Sequence, residues 1–340
     1  MAGLGEFELI ARYFRRPGRA LGAGVALGVG DDCALLQPTP GMQWAVSSDM
    51  LVSGRHFFPD VAPRTLGHKA LAVNLSDLAA CGARPLGFTL ALALPEARAE
   101  WLQPFSEGLF ALADAHGCAL VGGDTTRGPL NICITVMGEV PPGQALLRSG
   151  AQVGDDVYVS GTLGDAALAL LCLQGKIHLP PAVLAQARQR LEQPTPRVAL
   201  GLALRGVATA AADVSDGLLG DLGHILAQSG LGATVEADIA MYLLAARAYS
   251  TGARGPFDAE MPAALALQCV LAGGDDYELV FTAPPDRAAA VQAAAQTSGT
   301  PVTRIGRTEA TAGVRVVDGS GALLPGPWAS FDHFANPPCS

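Results

Sequence analysis

The amino-acid sequence predicts an α+β protein of two domains, and three observations support that class. The chain has 340 residues, a length typical of two domains of ordinary size. Strand and helix patterns alternate irregularly, and long strands are not each followed by one helix, which favours α+β over a doubly wound parallel sheet. Pro141-Pro142-Gly143 interrupts both kinds of element. This break predicts a boundary between a domain of residues 1–140 and a domain of residues 141–340.

Hydrophobic periodicity places the elements of the first half. A period of two, or a short unbroken apolar run, predicts strands over 43–48, 88–94, 118–121 and 132–140. A period near 3.6 predicts helices over 66–81 and 100–116. Gly82 and Gly117 follow these helices, as is typical of helix C-termini.

The second half repeats this arrangement. Strands are predicted over 156–160, 210–214 and 277–282, and helices over 164–173, 197–205, 218–228 and 287–297. In both halves a short strand delivers an aspartate to a turn that contains glycine. The repetition is consistent with two related halves.

Composition excludes several classes of protein. The net charge of -9, without a basic stripe, argues against nucleic acid or an anionic membrane as a partner. No apolar run reaches the roughly 20 residues of a membrane span, and Met1 to Arg16 lacks the apolar core of a signal peptide, so we expect a cytoplasmic protein. The 7 cysteines are scattered and odd in number, which predicts reduced thiols rather than disulfides or a zinc site.

Acidic clusters beside glycine or serine are the strongest functional signal. They are Gly30-Asp31-Asp32, Ser47-Ser48-Asp49, Ser76-Asp77, Gly122-Gly123-Asp124, Asp213-Val214-Ser215-Asp216-Gly217 and Gly273-Gly274-Asp275-Asp276. Two carboxylates about 4 Å apart repel by about 4 kcal/mol at an effective dielectric of about 20. Only Lys69 and Lys176 could supply lysine charge. Divalent metal is therefore the natural partner, and hard oxygen ligands beside glycine backbone indicate magnesium holding phosphates.

Local geometry sorts some of these residues. A single Gly-Asp turn most often carries only a solvated aspartate, but six such clusters make that explanation poor for all of them. Asp31 and Asp32 would point to opposite faces of an extended segment, so one of the two is expected to be a ligand. Asp213 and Ser215 share a strand face, whereas Asp216 is placed to cap a helix beginning at Gly217.

Glycine-bearing turns also predict anion sites. The free N–H groups at the start of the helix after Gly217 would attract phosphate. Gly122-Gly123 would let phosphate oxygens approach the backbone at a strand end. Familiar alternatives are missing from the sequence, which has no Walker A loop, no protein-kinase triplets, no Gly-x-Gly-x-x-Gly, no Gly-x-Ser-x-Gly and no histidine spacing typical of zinc.

Several motifs together resemble one family, the thiamine-monophosphate kinases of the aminoimidazole ribonucleotide synthetase superfamily. The resemblance covers nearly the whole chain in order. It is carried by Gly5-Glu6-Phe7, residues 30–36 (GDDCALL), residues 69–79 (KALAVNLSDLA), residues 122–128 (GGDTTRG), Arg148-Ser149-Gly150, residues 213–217 (DVSDG), Tyr277-Glu278-Leu279 and Phe331-Asp332-His333-Phe334.

The resemblance implies ATP-dependent phosphorylation of thiamine monophosphate to thiamine diphosphate, the last step of thiamine diphosphate biosynthesis. It implies several magnesium ions, direct in-line transfer without an acid or base residue, and a homodimer. In that dimer the N-terminal sheet-and-helix domains, which bind ATP and metal, would pair into a β-barrel. A C-terminal α/β sandwich domain would complete the active site.

Site residues follow from the resemblance position by position. Metal ligands would be Asp32, Ser47, Ser48, Asp49, Asp77, Asp124, Asp213 and Asp216. ATP would contact Gly123, Asp124, Arg148 and Ser215, and thiamine monophosphate would contact His56, Asp275 and Trp328. The guanidinium of Arg148 suits a phosphate, and a tryptophan face suits a cationic thiazolium, although a surface arginine and a hydrophobic anchor for the tail are equally compatible with the sequence. The family usually has Glu where this chain has Asp275.

Three other functions are weighed against this one. A hydrogenase maturation factor of the same superfamily ends in a reactive cysteine, whereas Cys339 is followed by Ser340. A selenophosphate synthetase requires a reactive cysteine beside lysine, and Cys33 has no lysine neighbour. A nucleotide or calcium sensor would bind without turnover, and the sequence has no Asp-x-Asp-x-Asp-Gly loop.

Overall fold

The computed structural model describes residues 5–16, 22, 24–245, 263–326, 328, 330 and 331. The chain divides into two compact units, Met1–Ala145 and Leu146–Ser340. Among the described residues, no helix has both the length and the hydropathy that a bilayer crossing requires. The six cysteines in this part of the chain are free thiols. Cys339 and residues 332–334 of the last motif lie outside the described residues.

The N-terminal unit is built on a four-stranded sheet. Its helices are α1 (Glu6–Leu9, continued by a π-helical turn, Ile10–Phe14), α2 (Pro63–Ala80) and α3 (Ala99–Ala115). Its strands are β1 (Val25–Leu27), β2 (Leu35–Leu36), β3 (Gln43–Val52), β4 (Arg84–Leu94), β5 (Ala119–Arg127) and β6 (Asn131–Val140). The sheet has the order β3-β6-β4-β5, with β4 and β5 parallel and the other pairs antiparallel, while β1 and β2 form a separate hairpin-like pair. The strands β3 and β5 are therefore the two edges of this sheet.

One face of the sheet is covered by α2, and α3 packs on α2. Phe88 and Ile134 of this face are buried. The two helices approach closely because Gly67 and Gly108 have no side chain, and a Cβ at either position would overlap the backbone of the opposite helix. This packing holds α2, which carries Asp77, firmly against the sheet.

The other face, here called the open face, carries no helix of this unit among the described residues. Val46 is 62% exposed, Met50 is 53% exposed and Trp44 is 39% exposed. The register continues this face across the neighbouring strands, so that it includes Trp44, Val46, Ser48, Met50, Thr89, Ala91, Cys133, Thr135 and Met137. Large apolar side chains gathered on one exposed face usually mark an interaction surface.

Two acidic clusters lie inside strands rather than at strand ends, which corrects the sequence-based placement. β3 continues beyond residue 48 to Val52, so that Ser47, Ser48 and Asp49 are central in it. β5 continues beyond residue 121 through Gly122 to Arg127. Glycine had suggested a break, but Gly123 is required within β5 because a Cβ there would overlap the carbonyl oxygen of Leu90 on β4.

The C-terminal unit is built on a six-stranded sheet. Its strands are β7 (Asp156–Ser160), β8 (Ala210–Val214), β9 (Gly232–Glu236), β10 (Glu278–Ala283), β11 (Val302–Glu309) and β12 (Gly313–Val317). Its helices are α4 (Asp165–Leu173), α5 (Pro181–Glu192), α6 (Val198–Ala203), α7 (Leu218–Ser229), α8 (Ala237–Ala240), α9 (Ala263–Ala272) and α10 (Ala288–Ser298). The strand order is β12-β9-β11-β7-β10-β8, with one parallel pair, β9 and β12.

A large core joins this sheet to its helices, and a smaller buried cluster lies between α4 and α5. Val157, Val159 and Val280 from the strands pack with Leu222 and Ile225 of α7 in one buried cluster. On the other face of the sheet, Tyr158 of β7 stacks on Phe281 of β10 with ring centroids 5.3 Å apart. The described residues thus form two α+β units with open sheets rather than a closed barrel.

Candidate active site

One cavity in the N-terminal unit collects three of the predicted site residues, the metal ligands Asp32 and Asp124 and the ATP contact Gly123. It has a volume of about 390 Å³, and its lining includes Asp31, Asp32, Gly122, Gly123 and Asp124. The segment 30–33 is a turn and not an extended strand, so both aspartates line the cavity. The Oδ1 atom of Asp31 accepts a hydrogen bond of 3.0 Å from the Asp32 N–H. Asp31 therefore stabilises the turn that presents Asp32.

A second group of predicted ligands lies between β3 and α2. The Ser47 hydroxyl donates to Oδ2 of Asp77 over 2.5 Å, and the Asp49 N–H donates to Oδ1 of Asn74 over 3.1 Å. Asn74 is 1% exposed, and its own amide donates to the Ala70 carbonyl, so it is fixed in place. The motif Asn74-Leu75-Ser76-Asp77 thus binds β3 through its first and last residues.

Strand alternation separates Ser48 from its neighbours. Ser47 and Asp49 face α2, whereas Ser48 lies on the open face. There its hydroxyl donates to the Ile134 carbonyl over 3.1 Å and lies 3.0 Å from the Thr135 hydroxyl. The side chains of the adjacent residues Ser47 and Ser48 therefore lie on opposite faces of the sheet.

The two groups stand at opposite edges of the same sheet. Asp124 on β5 is in register with Ala91, Ala91 with Cys133, and Cys133 with Met50, the neighbour of Asp49 on β3. Three strand spacings amount to about 14 Å. Magnesium binds oxygen at about 2.0 Å, so one ion cannot contact Asp49 and Asp124 of the same chain across that span. Accordingly, no group of three or more His, Cys, Asp or Glu residues suited to a metal ion occurs among the described residues.

His56 lies in the turn that follows β3. Its Nδ1 atom accepts a hydrogen bond of 2.9 Å from the Val52 N–H, which places the proton of a neutral ring on Nε2. The ammonium of Lys69, 3% exposed on α2, donates to the His56 carbonyl over 3.4 Å. This turn is therefore anchored to the same helix that carries Asp77.

In the C-terminal unit, two turns that carry predicted ligands are joined to each other. The Asp275 N–H donates to the Ser215 carbonyl and the Tyr277 N–H donates to the Val214 carbonyl, both over 2.8 Å. Asp275 and Tyr277 have φ angles of 68° and 51°, in the left-handed region that few residues other than glycine adopt. The paired turns hold this conformation in place.

A carboxylate that the sequence analysis missed organises the first of these turns. Oδ2 of Asp221 accepts the N–H groups of Ser215, Asp216 and Gly217 at 3.1–3.2 Å, directly before α7, whose N-cap is Gly217. Burial raises the pKa of Asp221 to about 7, while these N–H groups act against that shift. The three N–H groups of the turn before α7 are thus already bound by a carboxylate of the protein. Its signal in the sequence was an acidic residue in the first turn of α7.

Buried charges support the second turn. Glu278, fully buried, accepts hydrogen bonds from Arg190, Arg197 and the Ser160 hydroxyl. Arg190 also donates to the Asp276 carbonyl over 3.3 Å. Burial raises the pKa of Asp276 well above its usual range. This network holds the backbone on both sides of Tyr277.

The remaining predicted contacts are all in the C-terminal unit. Asp213 is 5% exposed on β8, opposite Leu279. Arg148 is exposed, and its carbonyl accepts a hydrogen bond of 3.4 Å from the Ser229 hydroxyl. Trp328 is half-buried and packs against the core of this unit. Trp328 therefore acts as a hydrophobic anchor for the described residues around it.

Comparison with known proteins first defines the class. The model of the AIR synthase related protein, N-terminal domain, matches residues 30–140, and that of the C-terminal domain matches residues 152–319. The thiamine-monophosphate kinase of Salmonella typhimurium (strain LT2) is 46% identical over 335 residues, which cover 98% of this chain and 99% of that protein. The chain therefore belongs to the thiamine-monophosphate kinase family.

Solved structures agree with this assignment. The crystal structure of thiamine-monophosphate kinase from Stenotrophomonas maltophilia K279a has a TM-score of 0.78 and 49% identity, covering 91% of this chain and 94% of that one. The structure of AaThiL complexed with AMPPCP and TMP has a TM-score of 0.71 and 30% identity, covering 90% of this chain and 92% of that one. The two-domain α+β architecture predicted from the sequence is confirmed.

Proposed function

We propose that this protein transfers the terminal phosphoryl group of ATP to the phosphate of thiamine monophosphate in the cytoplasm, giving thiamine diphosphate and ADP. The observation that carries the proposal is the 46% identity to a curated thiamine-monophosphate kinase over 98% of the chain. A relative of known structure holds AMPPCP and TMP together, which fits a reaction between two bound phosphates. The same identity favours this activity over those of the superfamily rivals and over a sensor.

The side chains present fit magnesium. Every proposed metal ligand is a carboxylate or hydroxyl oxygen: Asp32, Ser47, Ser48, Asp49, Asp77, Asp124, Asp213 and Asp216. Oxygen ligands of this kind suit a hard cation that also binds phosphate. When bound, magnesium would neutralise the phosphate charges and so favour in-line transfer.

The protein itself binds and orients the two substrates. Gly123, Asp124, Arg148 and Ser215 are the proposed ATP contacts, and His56, Asp275 and Trp328 the proposed contacts of thiamine monophosphate. Gly123 lines the cavity beside β5, and the Nε2–H of His56 is a donor suited to a phosphate oxygen. No carbon centre reacts, so positioning accounts for most of the protein's contribution.

The proposed homodimer explains why the metal ligands of one chain lie so far apart. Closing two four-stranded sheets into an eight-stranded barrel joins their edges, and if β5 of one protomer lies beside β3 of its partner, the strands that carry Asp124 and Asp49 become neighbours across the seam. Joining like edges, β3 to β3 and β5 to β5, would leave the groups separated. Barrel closure would also cover the apolar open face. We therefore propose the first arrangement, with two equivalent sites.

The dimer can be tested at the open face. Val46→Glu places a charge where the barrel interior would form, so we expect sedimentation equilibrium to give a monomer for this variant and a dimer for the wild type. Val153→Glu, at a comparably exposed valine of the C-terminal unit, is the control and should remain a dimer. A dimeric Val46→Glu variant would contradict pairing through this face.

The activity is tested by incubating the protein with ATP, magnesium and thiamine monophosphate and separating the products by chromatography. Thiamine diphosphate and ADP should form in equal amounts. A preference for free thiamine as the acceptor, or ATP binding without turnover, would contradict the proposal. The second result would favour a sensor.

Asp275 is proposed to contact the acceptor despite its short side chain. Asp275→Ala should raise the KM for thiamine monophosphate by about tenfold, the loss of one charge-assisted contact, with a smaller change in the KM for ATP. Steady-state kinetics in each substrate measure this difference. Asp286→Ala, in the exposed turn before α10, provides a control without effect. An unchanged KM for thiamine monophosphate would exclude Asp275 from the acceptor site.

A further inference from the structure

Asp221 holds an unusual number of backbone donors on a single atom. Its Oδ2 accepts N–H groups from Ser215 over 3.1 Å, from Asp216 over 3.1 Å and from Gly217 over 3.2 Å. The side chain is 2% exposed, so water does not compete for these bonds. The three-residue turn is therefore fixed from the side of α7.

The carbonyl groups of the same turn are bonded as well. The Ser215 carbonyl accepts from the Asp275 N–H over 2.8 Å, and the Asp216 carbonyl accepts from the Phe331 N–H over 3.1 Å. Gly217 has a φ angle of 122°, and a Cβ there would lie 2.9 Å from the carbonyl carbon of Ala272. The backbone of the turn thus has one well-defined path. It presents side chains, not N–H groups, to a ligand.

We propose that Asp221 is a positioning residue, which fixes the turn so that the side chains of Ser215 and Asp216 meet ATP and its metal. The inference rests on the proposed function only for the identity of that ligand. A free N–H triplet at the start of α7 would be a competing phosphate site. By occupying it, Asp221 leaves the Ser215 and Asp216 side chains as the contacts of the triphosphate. Asp221 itself touches neither substrate.

Two substitutions test this role. Asp221→Ala removes the acceptor, and Asp221→Asn keeps one oxygen acceptor at the same place but loses the charge. We expect Asp221→Ala to weaken binding of magnesium-ATP, measured by calorimetry without thiamine monophosphate, by at least about tenfold. Asp221→Asn should recover part of that loss. The magnesium concentration needed for half-maximal binding should be lowest for the wild type, higher for Asp221→Asn and highest for Asp221→Ala.

A matched control separates positioning from general stability. Asp155 is also 2% exposed and accepts the Gln152 N–H and the Thr209 hydroxyl, but it lies near the other end of β8. Asp155→Asn should lower the melting temperature without changing the affinity for magnesium-ATP. If Asp221→Asn also melts at a lower temperature but binds with wild-type affinity, Asp221 is only structural and the inference is wrong.

The same measurements separate this inference from the proposed activity. Binding of magnesium-ATP does not require thiamine monophosphate to be the acceptor. If the wild type forms no thiamine diphosphate, but substitution of Asp221 still lowers the affinity for magnesium-ATP, the proposed function is wrong and the positioning role is supported.

Discussion

Asp124→Asn and Asp49→Asn should each reduce thiamine diphosphate formation by about 10³-fold or more, because each removes a negative charge that we propose holds metal where phosphate charge must be neutralised. Both side chains are at least partly exposed, so the fold should be retained and the melting temperature should change little. Chromatographic rates measure the first effect and thermal unfolding the second. A wild-type rate in either variant would refute its metal role.

The same two variants should restore each other when mixed. If the site combines Asp124 of one protomer with Asp49 of its partner, a mixed dimer has one site with both substitutions and one site with neither. Random exchange of subunits makes half of the dimers mixed, so about a quarter of the wild-type activity should return. The control is a mixture of two variants of the same group, Asp49→Asn with Asp77→Asn, which should stay inactive because every site then carries one of the two substitutions. Asp49→Asn mixed with the double variant Asp49→Asn/Asp124→Asn should stay inactive.

Complementation therefore decides between the two ways of closing the barrel. Recovery near a quarter supports the seam between β5 and the partner's β3. Activity no greater than that of the separate variants, in a mixture shown to exchange subunits, would show that the two aspartates do not meet across the dimer.

Glu278→Ala should destabilise the C-terminal unit by about 3–5 kcal/mol, since it leaves Arg190 and Arg197 together without their common carboxylate. Glu278 is fully buried, and these two arginine side chains are 19% and 17% exposed, so water compensates little. Chemical denaturation measures the loss in free energy of unfolding. Because the network supports the turn of Asp275, the KM for thiamine monophosphate should also rise.

An exposed ion pair provides the control for that measurement. Glu107 pairs with Arg64, but these side chains are 45% and 57% exposed. Glu107→Ala should change the stability by no more than about 1 kcal/mol. A loss of similar size in both variants would contradict a special role for the buried network.

Most helices and strands could be predicted because hydrophobic periodicity and flanking glycines are signals within the segment itself. The strands 156–160 and 210–214 have the predicted bounds, and α7 ends at Ser229 before Gly230, as the left-handed φ angle of 69° at Gly230 requires. β11 was missed because Gly306 interrupts its pattern. That glycine is needed within the strand, since a Cβ would overlap the Thr234 carbonyl on β9. The meaning of such a glycine depends on a neighbour distant in sequence.

The grouping of the site residues could not be predicted for the same reason. The motifs mark Asp49 and Asp124 as candidate ligands, but only the strand order shows that they occupy opposite edges of one sheet. The role of Asp221 could not be predicted from the sequence for a similar reason. Its neighbour Asp216 has the better local signal for a cap, yet the geometry of the turn gives all three N–H groups to Asp221.

The open face affects the solubility of a newly made chain before it dimerises. A lone protomer would expose two unpaired strand edges and a row of apolar side chains, which are the features that promote aggregation. In the proposed dimer, one closure event removes both edges and assembles the metal sites. A newly made chain would then become catalytically competent and resistant to aggregation in the same step, so the specific activity of a preparation would report directly on how much of it is correctly assembled.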